Sequence, residues 1–283
     1  MVFWRVTENR LLAISNVDKL GFHINEGYQI PDEYIQARDF SILRTCFGVG
    51  DWGIVSAMPR KLKEKFPDCT INIPSETFLK NVFGGMESNW SSWDSPYKIA
   101  EIIFKNNPYI DGVFDYNYEE IYHDHYRVYT DELNEPLLKQ ILRFWQFTED
   151  ELSDISPEIY WDEQEINFAE AIIKEHTSNK NYGTLLISNR YDGKDIDKIK
   201  SIIDKFNLPM YYWLSNPNID LKFKKALDLR HVDIRIQMYI KSKATFNVGN
   251  QSGVNDTISN YAPTYTLPRG VLGSNYLPNQ IYI

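Results

Sequence analysis

At 283 residues the chain is long enough for one large or two modest domains, at roughly 100 to 200 residues each, and disulfide-stapled miniprotein designs are excluded. Its composition, 43% hydrophobic and 24% charged, is that of a folding globular chain and unlike that of disordered or collagenous ones. Thirty Lys and Arg against 39 Asp and Glu give a formal charge of -9, which repels polyphosphate backbones and argues against nucleic acid as a partner, so an anionic ligand must find a local basic or amide-lined pocket. No stretch approaches the roughly 18 apolar residues of a membrane span, and Arg5, Glu8 and Arg10 interrupt the opening apolar run, which is not that of a signal peptide. A cytoplasmic protein is the expectation. Cys46 and Cys69 lie in apolar, strand-like runs without C-x-x-C spacing and read as buried thiols.

In chain order, residues 1–40 are the least legible. Val2 to Val6 and Leu11 to Ser15 could form a hairpin, and Pro31 to Arg38 a short polar helix or loop. From Ser41 the pattern sharpens: Ser41 to Cys46 reads as a strand, Phe47-Gly-Val-Gly-Asp-Trp-Gly53 as a glycine turn, Ile54 to Phe66 as a helix and Cys69 to Ile73 as the next strand. Helix-connected neighbouring strands imply a right-handed parallel crossover. Helices are expected over Ser75 to Val82, Pro96 to Lys105 and Glu135 to Phe147, with strands at Gly112 to Asp115 and Tyr126 to Tyr129. After the helix Glu163 to His176 a second series opens: strand Gly183 to Ser188, helix Asp195 to Phe206, strand Pro209 to Leu214, helix Asp233 to Ser242, strand Ala244 to Val248, helix Val254 to Tyr261 and a last strand near Tyr265. The fold class is α/β, with two Rossmann-like parallel-sheet domains, residues 1–178 and 179–283, and a ligand in the cleft between them, beyond the carboxyl ends of the strands. The 19 Tyr and 7 Trp are either core wedges or ring-lined binding surface.

Three strand-to-helix junctions could carry chemistry. In the first, glycines around Asp51 and Trp52 allow close backbone approach to a ligand, and Asp51 is either a helix cap or a base that takes a proton from a hydroxyl. The spacing fits neither the dinucleotide fingerprint nor the Walker A loop. The second, Ser188-Asn-Arg-Tyr-Asp-Gly-Lys194, places Arg190 and Lys194 at a helix start, where cations could hold a diphosphate or simply face solvent. The third, Gly249-Asn-Gln-Ser-Gly253, is a phosphate-binding turn or a bare glycine turn. The pair His123 and His125 lacks further ligands, Asp195 and Asp197 fit a helix's first turn better than a metal, and no G-x-S-x-G elbow is present. No metal and no cofactor are expected.

These residues suggest a family. Gly50-Asp-Trp-Gly53 with the following helix and Pro67, the turn Asn107-Pro-Tyr-Ile-Asp-Gly-Val113, and Gly249 to Asp256 resemble motifs of the heptosyltransferase-like glycosyltransferases of family nine. The resemblance spans about residues 41–262 and leaves residues 1–40 without a counterpart. It implies a GT-B architecture, an acceptor-side first domain, a nucleotide-sugar donor held mainly by the second, and metal-independent, inverting transfer to a carbohydrate acceptor, glycan or lipid-linked, with peripheral membrane contact left open. Asp51 falls on the family's catalytic base. Gly50, Trp52, Gly53, Asn189, Arg190, Lys194, Asn250, Gln251, Ser252 and Gly253 fall on positions expected to bind substrate or donor. Gln251 stands where the family usually has Asp, and Asp256 where it often has His, which leaves the donor open. The alternatives are a nucleotide-sugar epimerase of GT-B fold and a non-catalytic carbohydrate- or nucleotide-binding protein.

Overall fold

The computed structural model describes residues 32–42, 48–83, 95–115, 136–178, 181–188, 191, 193–214, 226–268 and 279–283. The hairpin expected before Ser15, the strand expected at Tyr126 to Tyr129, Cys46 and the pair His123 and His125 lie outside these residues. The chain divides into two compact units, which part at residues 160 and 161.

In the first unit, helix α1 (Asp32–Ala37) leads into strand β1 (Asp39–Ser41). Helices α2 (Val49–Gly53) and α3 (Met58–Lys65) then carry the chain to β2 (Thr70–Pro74). Helices α4 (Glu76–Phe83) and α5 (Ile99–Phe104) lead to β3 (Gly112–Phe114), and α6 (Leu137–Phe144) follows. The three strands form a parallel sheet in the order β1-β2-β3. Its core is aromatic: Phe40 meets Phe66 and Trp145 edge-on at 5.5 and 5.0 Å, and Phe78 meets Phe114 at 4.9 Å. These are the offset geometries that ring quadrupoles favour, so here the aromatic richness serves packing.

The turn Asn107 to Asp111 owes its shape to its own side chains. Asn107 Oδ1 accepts the Tyr109 N–H at 2.9 Å, and Asp111 Oδ2 accepts the Ile71 N–H at 2.8 Å while pairing with Lys63 Nζ at 2.7 Å. The Asn and Asp of that motif therefore set the entry into β3 and anchor the start of β2. Cys69 is a free, buried thiol whose pKa burial pushes up to about 11.

The second unit begins with helix α7 (Glu163–His176), followed by β4 (Gly183–Ile187), α8 (Ile196–Phe206), β5 (Met210–Leu214), β6 (Ala226–Asp228) and α9 (Ile234–Ser242). Strand β7 (Phe246–Asn250), α10 (Gly253–Ile258), β8 (Thr264–Leu267) and β9 (Gln280–Tyr282) complete it. The six strands are all parallel, in the order β6-β5-β4-β7-β8-β9. The strand order reverses between β4 and β7, which is the switch point of a doubly wound sheet.

Side chains alternate across this sheet with period two, and the two faces differ in chemistry. Leu185, Ile187, Met210, Phe246 and Val248 form an apolar face with Ile199 of α8, and Phe206 stacks on Phe246 at 4.1 Å. On the opposite face Thr184, Asn247 and Thr264 are neighbours in register and hydrogen-bonded in series. Lys241 of α9, wholly buried, donates from Nζ to Thr184 Oγ1 at 2.8 Å.

The boundary expected after residue 178 would leave α7 in the first unit, whereas α7 packs into the second. Asp162 caps its start, accepting the Glu165 N–H at 2.8 Å. Glu165 in turn accepts both Arg235 Nε at 2.6 Å and Nη2 at 3.1 Å, a bidentate pair with both partners buried. Trp161 Nε1 donates to the Arg235 carbonyl at 3.0 Å, and its ring packs edge-on against Tyr239 and Tyr261. A charge pair removed from water needs both members in one rigid body, which places α7 with α9.

Candidate functional site

Within the first unit, the glycine segment after β1 is helical where a turn was expected. Gly48 is extended, at φ -80 and ψ 138, and its carbonyl accepts the Trp52 N–H at 3.2 Å to open α2. Asp51 therefore stands in the first turn of a helix, partly buried. Its carboxylate lies over the Gly48 α-carbon, in the space a β-carbon would occupy. A β-carbon at 48 would make the Asp51 carboxylate move, so the glycine leaves the acid its present position.

The other residues expected here are structural. Trp52 is wholly buried and packs edge-on against Phe104 at 6.3 Å. A ring with no exposed surface is core, and the expectation that Trp52 binds substrate is corrected on that ground. Gly50 and Gly53 are buried as well: the Gly50 carbonyl accepts the Ile54 N–H at 2.8 Å, and the Gly53 carbonyl accepts Ser56 Oγ at 2.6 Å.

In the second unit, the carboxyl ends of β4 and β7 lie side by side, as neighbouring strands of a parallel ladder require. Asn189 and Arg190 fall outside the described residues. Lys194 is exposed, between two left-handed residues, Gly193 at φ 84 and Asp195 at φ 61. Tyr191 is buried in the apolar cluster around Leu185 and Ile199, and its hydroxyl donates to the Lys194 carbonyl, so the backbone under Lys194 is tied to the core.

Asn250, expected to contact donor, is 1% exposed and fully engaged within the protein. Its Oδ1 accepts the Ser188 N–H at 2.8 Å, and its Nδ2 donates to Ser188 Oγ at 2.8 Å and to the Gln251 carbonyl at 3.1 Å. The Gln251 side of the turn is anchored by its N–H, which donates to the Leu267 carbonyl at 2.9 Å. Ser252 is the extended residue before α10, and Gly253 is that helix's first residue. Asp256, at the position noted for its departure from His, is buried and accepts Gln280 Nε2 at 2.9 Å.

Asp51 thus belongs to the first unit, and Lys194, Asn250, Gln251, Ser252 and Gly253 to the second. Sequence reading missed the roles of Gly48, Ser188 and Tyr191. A glycine three residues before an acid is a signal only once the helix register is known, and a hydrogen bond linking positions 188 and 250 leaves no local trace. Among the described residues, no group of three or more His, Cys, Asp or Glu is arranged to hold a metal ion, and no helix is long and apolar enough to cross a membrane.

No protein-family profile matches the sequence, and no curated protein matches it. Among solved structures, a glycosyl transferase of family 9 from Veillonella parvula aligns over 87% of this chain and 85% of its own, at 10% identity and a TM-score of 0.59. The two chains share a fold. The E. coli ADP-heptose LPS heptosyltransferase II also aligns, at 9% identity over 86% of this chain and 90% of its own, with a TM-score of 0.48. The E. coli heptosyltransferase WaaC, in a structure with ADP-2-deoxy-2-fluoro heptose, aligns at 11% identity over 87% and 92%, with a TM-score of 0.44. The parallel α/β architecture expected from the sequence is therefore present, in the fold of a glycosyl transferase.

Proposed function

We propose that the protein is a glycosyltransferase that moves a sugar from a nucleotide-sugar donor to a hydroxyl of a carbohydrate or lipid-linked carbohydrate. The reading is carried by Asp51, a partly exposed carboxylate in the first turn of a short helix whose other residues are buried, seated against a glycine that makes room for it, in a fold shared with a family 9 glycosyl transferase. A base held by a helix keeps its geometry through the reaction, which is what effective positioning of a nucleophile demands.

In this reading Asp51 takes the proton of the acceptor hydroxyl as its oxygen forms the bond to the anomeric carbon. The bond from that carbon to the phosphate oxygen breaks, and its electron pair leaves with the nucleoside diphosphate. Attack from the face opposite the leaving group inverts the anomeric centre. Lys194 and Arg190, with the Gln251 to Gly253 turn, neutralise the diphosphate as its charge develops, in the place a metal ion would otherwise serve.

Two measurements test this. A thermal-shift panel of ADP, UDP, GDP, CDP and their sugar conjugates is expected to show selective stabilisation by one nucleotide, since a ligand that binds only the folded state raises its melting temperature. A flat panel would count against transfer. Asp51→Asn is expected to abolish turnover while nucleotide binding and fold persist, and retained turnover would remove Asp51 from the mechanism.

A further inference from the structure

We infer that Asn250 is a positioning residue, holding the Lys194 loop and the Gln251 turn in one fixed relation by bridging the ends of β4 and β7. This deepens the proposed function and rests on it. The paired registers of the two strands run from Gly183 opposite Phe246 to Leu186 opposite Gly249 and go no further. One residue beyond, the Asn250 side chain takes over from the backbone ladder, accepting the Ser188 N–H and donating to Ser188 Oγ and the Gln251 carbonyl.

From that point the restraint continues on both sides. Toward the basic loop, the Tyr191 N–H donates to the Ser188 carbonyl at 3.1 Å, and the Tyr191 hydroxyl then holds the Lys194 carbonyl. Toward the turn, Asn255 Nδ2 donates to the Asn250 carbonyl at 3.1 Å, and Asn255 is itself wholly buried. Gly249 completes the arrangement, because a β-carbon there would collide with the Leu186 carbonyl and press on Asn255. A buried amide with its donors and its acceptor all engaged is costly to disturb, so Ser188 and Gln251 are held in one relation. Asn250 thus acts on the donor through Lys194 and the turn, without touching it.

The test compares Asn250→Ala with Asn247→Ala, a residue on the same strand that is equally buried and hydrogen-bonded but points to the opposite face. Amide exchange at Ser188, read without ligand, is expected to accelerate roughly tenfold or more in Asn250→Ala and to stay unchanged in Asn247→Ala. Unchanged exchange in Asn250→Ala overturns the bridge. The dissociation constant for ADP, UDP, GDP or CDP, whichever binds the unaltered protein best, is expected to rise roughly tenfold or more in Asn250→Ala. Asn247→Ala is expected to lower the melting temperature yet leave that constant within about twofold. Equal effects of the two variants on binding would show a merely structural role and overturn the inference. Should Asn250→Ala fail to fold, the near-isosteric Asn250→Leu fills the same volume and loses the acceptor and both donors, and the same two readings apply. If none of the nucleotides binds the unaltered protein, the glycosyltransferase reading falls and the positioning role with it, an outcome distinct from loss of the bridge because exchange is measured without nucleotide.

Discussion

The Asp51 carboxylate occupies the volume above Gly48, so what the glycine provides is space for the acid rather than a special backbone angle, since φ -80 suits any residue. Gly48→Ala is therefore expected to fold normally but to displace the carboxylate. Transfer should fall by roughly a hundredfold, the size of effect that an ångström of misplacement produces in a reacting group, as measured by kcat in the variant. Trp52, its sequence neighbour, belongs to packing. Trp52→Ala is expected to cost about 3–5 kcal/mol of stability by denaturant unfolding, because the ring is wholly buried against Phe104. Two adjacent residues so divide into a partly exposed carboxylate and a buried ring, and helix register decides which is which. Lys241 is a different case: burial drives its pKa well below the ordinary lysine value of 10.5. Its unfolded form binds a proton that the folded form resists, so stability rises with pH from the depressed value up to 10.5. Lys241→Met is expected to remove that rise, visible as a flatter unfolding free energy across the alkaline range when compared directly with the unaltered protein.

Helix α7 shows how an element finds its partner. Its own sequence, with the cap Asp162, the acids of its first turn and Lys174 and His176 in its last, makes it readable over the whole Glu163–His176 span. Its allegiance is set by distant residues, above all Arg235, whose guanidinium is buried against Glu165, with Tyr239 donating to Glu170 and Tyr211 to the Ile172 carbonyl. Glu165→Ala is expected to destabilise the second unit by about 3–5 kcal/mol, since an uncompensated charge is left in the interior, with faster amide exchange in α9 as the local signature. Glycines misled at two places for one reason. Gly50 and Gly53 suggest a turn yet lie buried inside α2, and Gly249 suggests the end of β7 yet sits within it, where it passes close to the Leu186 carbonyl. At Gly249 glycine marks a close backbone approach and at Gly50 and Gly53 burial in a helix, and a composition signal for a bend cannot distinguish either from a turn. The three-residue strands β6 and β9 were missed because they lie at the sheet edges and are too short to show a period.

At the scale of the molecule, the parallel sheets and helical crossovers were legible because apolar runs of four to six residues separated by helical spacing allow few other arrangements. For the candidate site, what was legible is position: ligand-binding residues in such folds gather beyond the carboxyl ends of strands, and Asp51, Lys194 and the Gln251 turn each come after one. The sequence by itself determined the α/β class and the helix and strand order over most of the described chain, since both are written in local spacing and side-chain chemistry. Tertiary structure alone decided that Trp52 is core, that Asn250 bridges two strands, that α7 belongs with α9, and that a lysine lies buried beside a row of Thr and Asn. Each of those depends on a contact between residues 50 to 70 positions apart, or on how closely two backbones approach, and no window along the chain contains both partners.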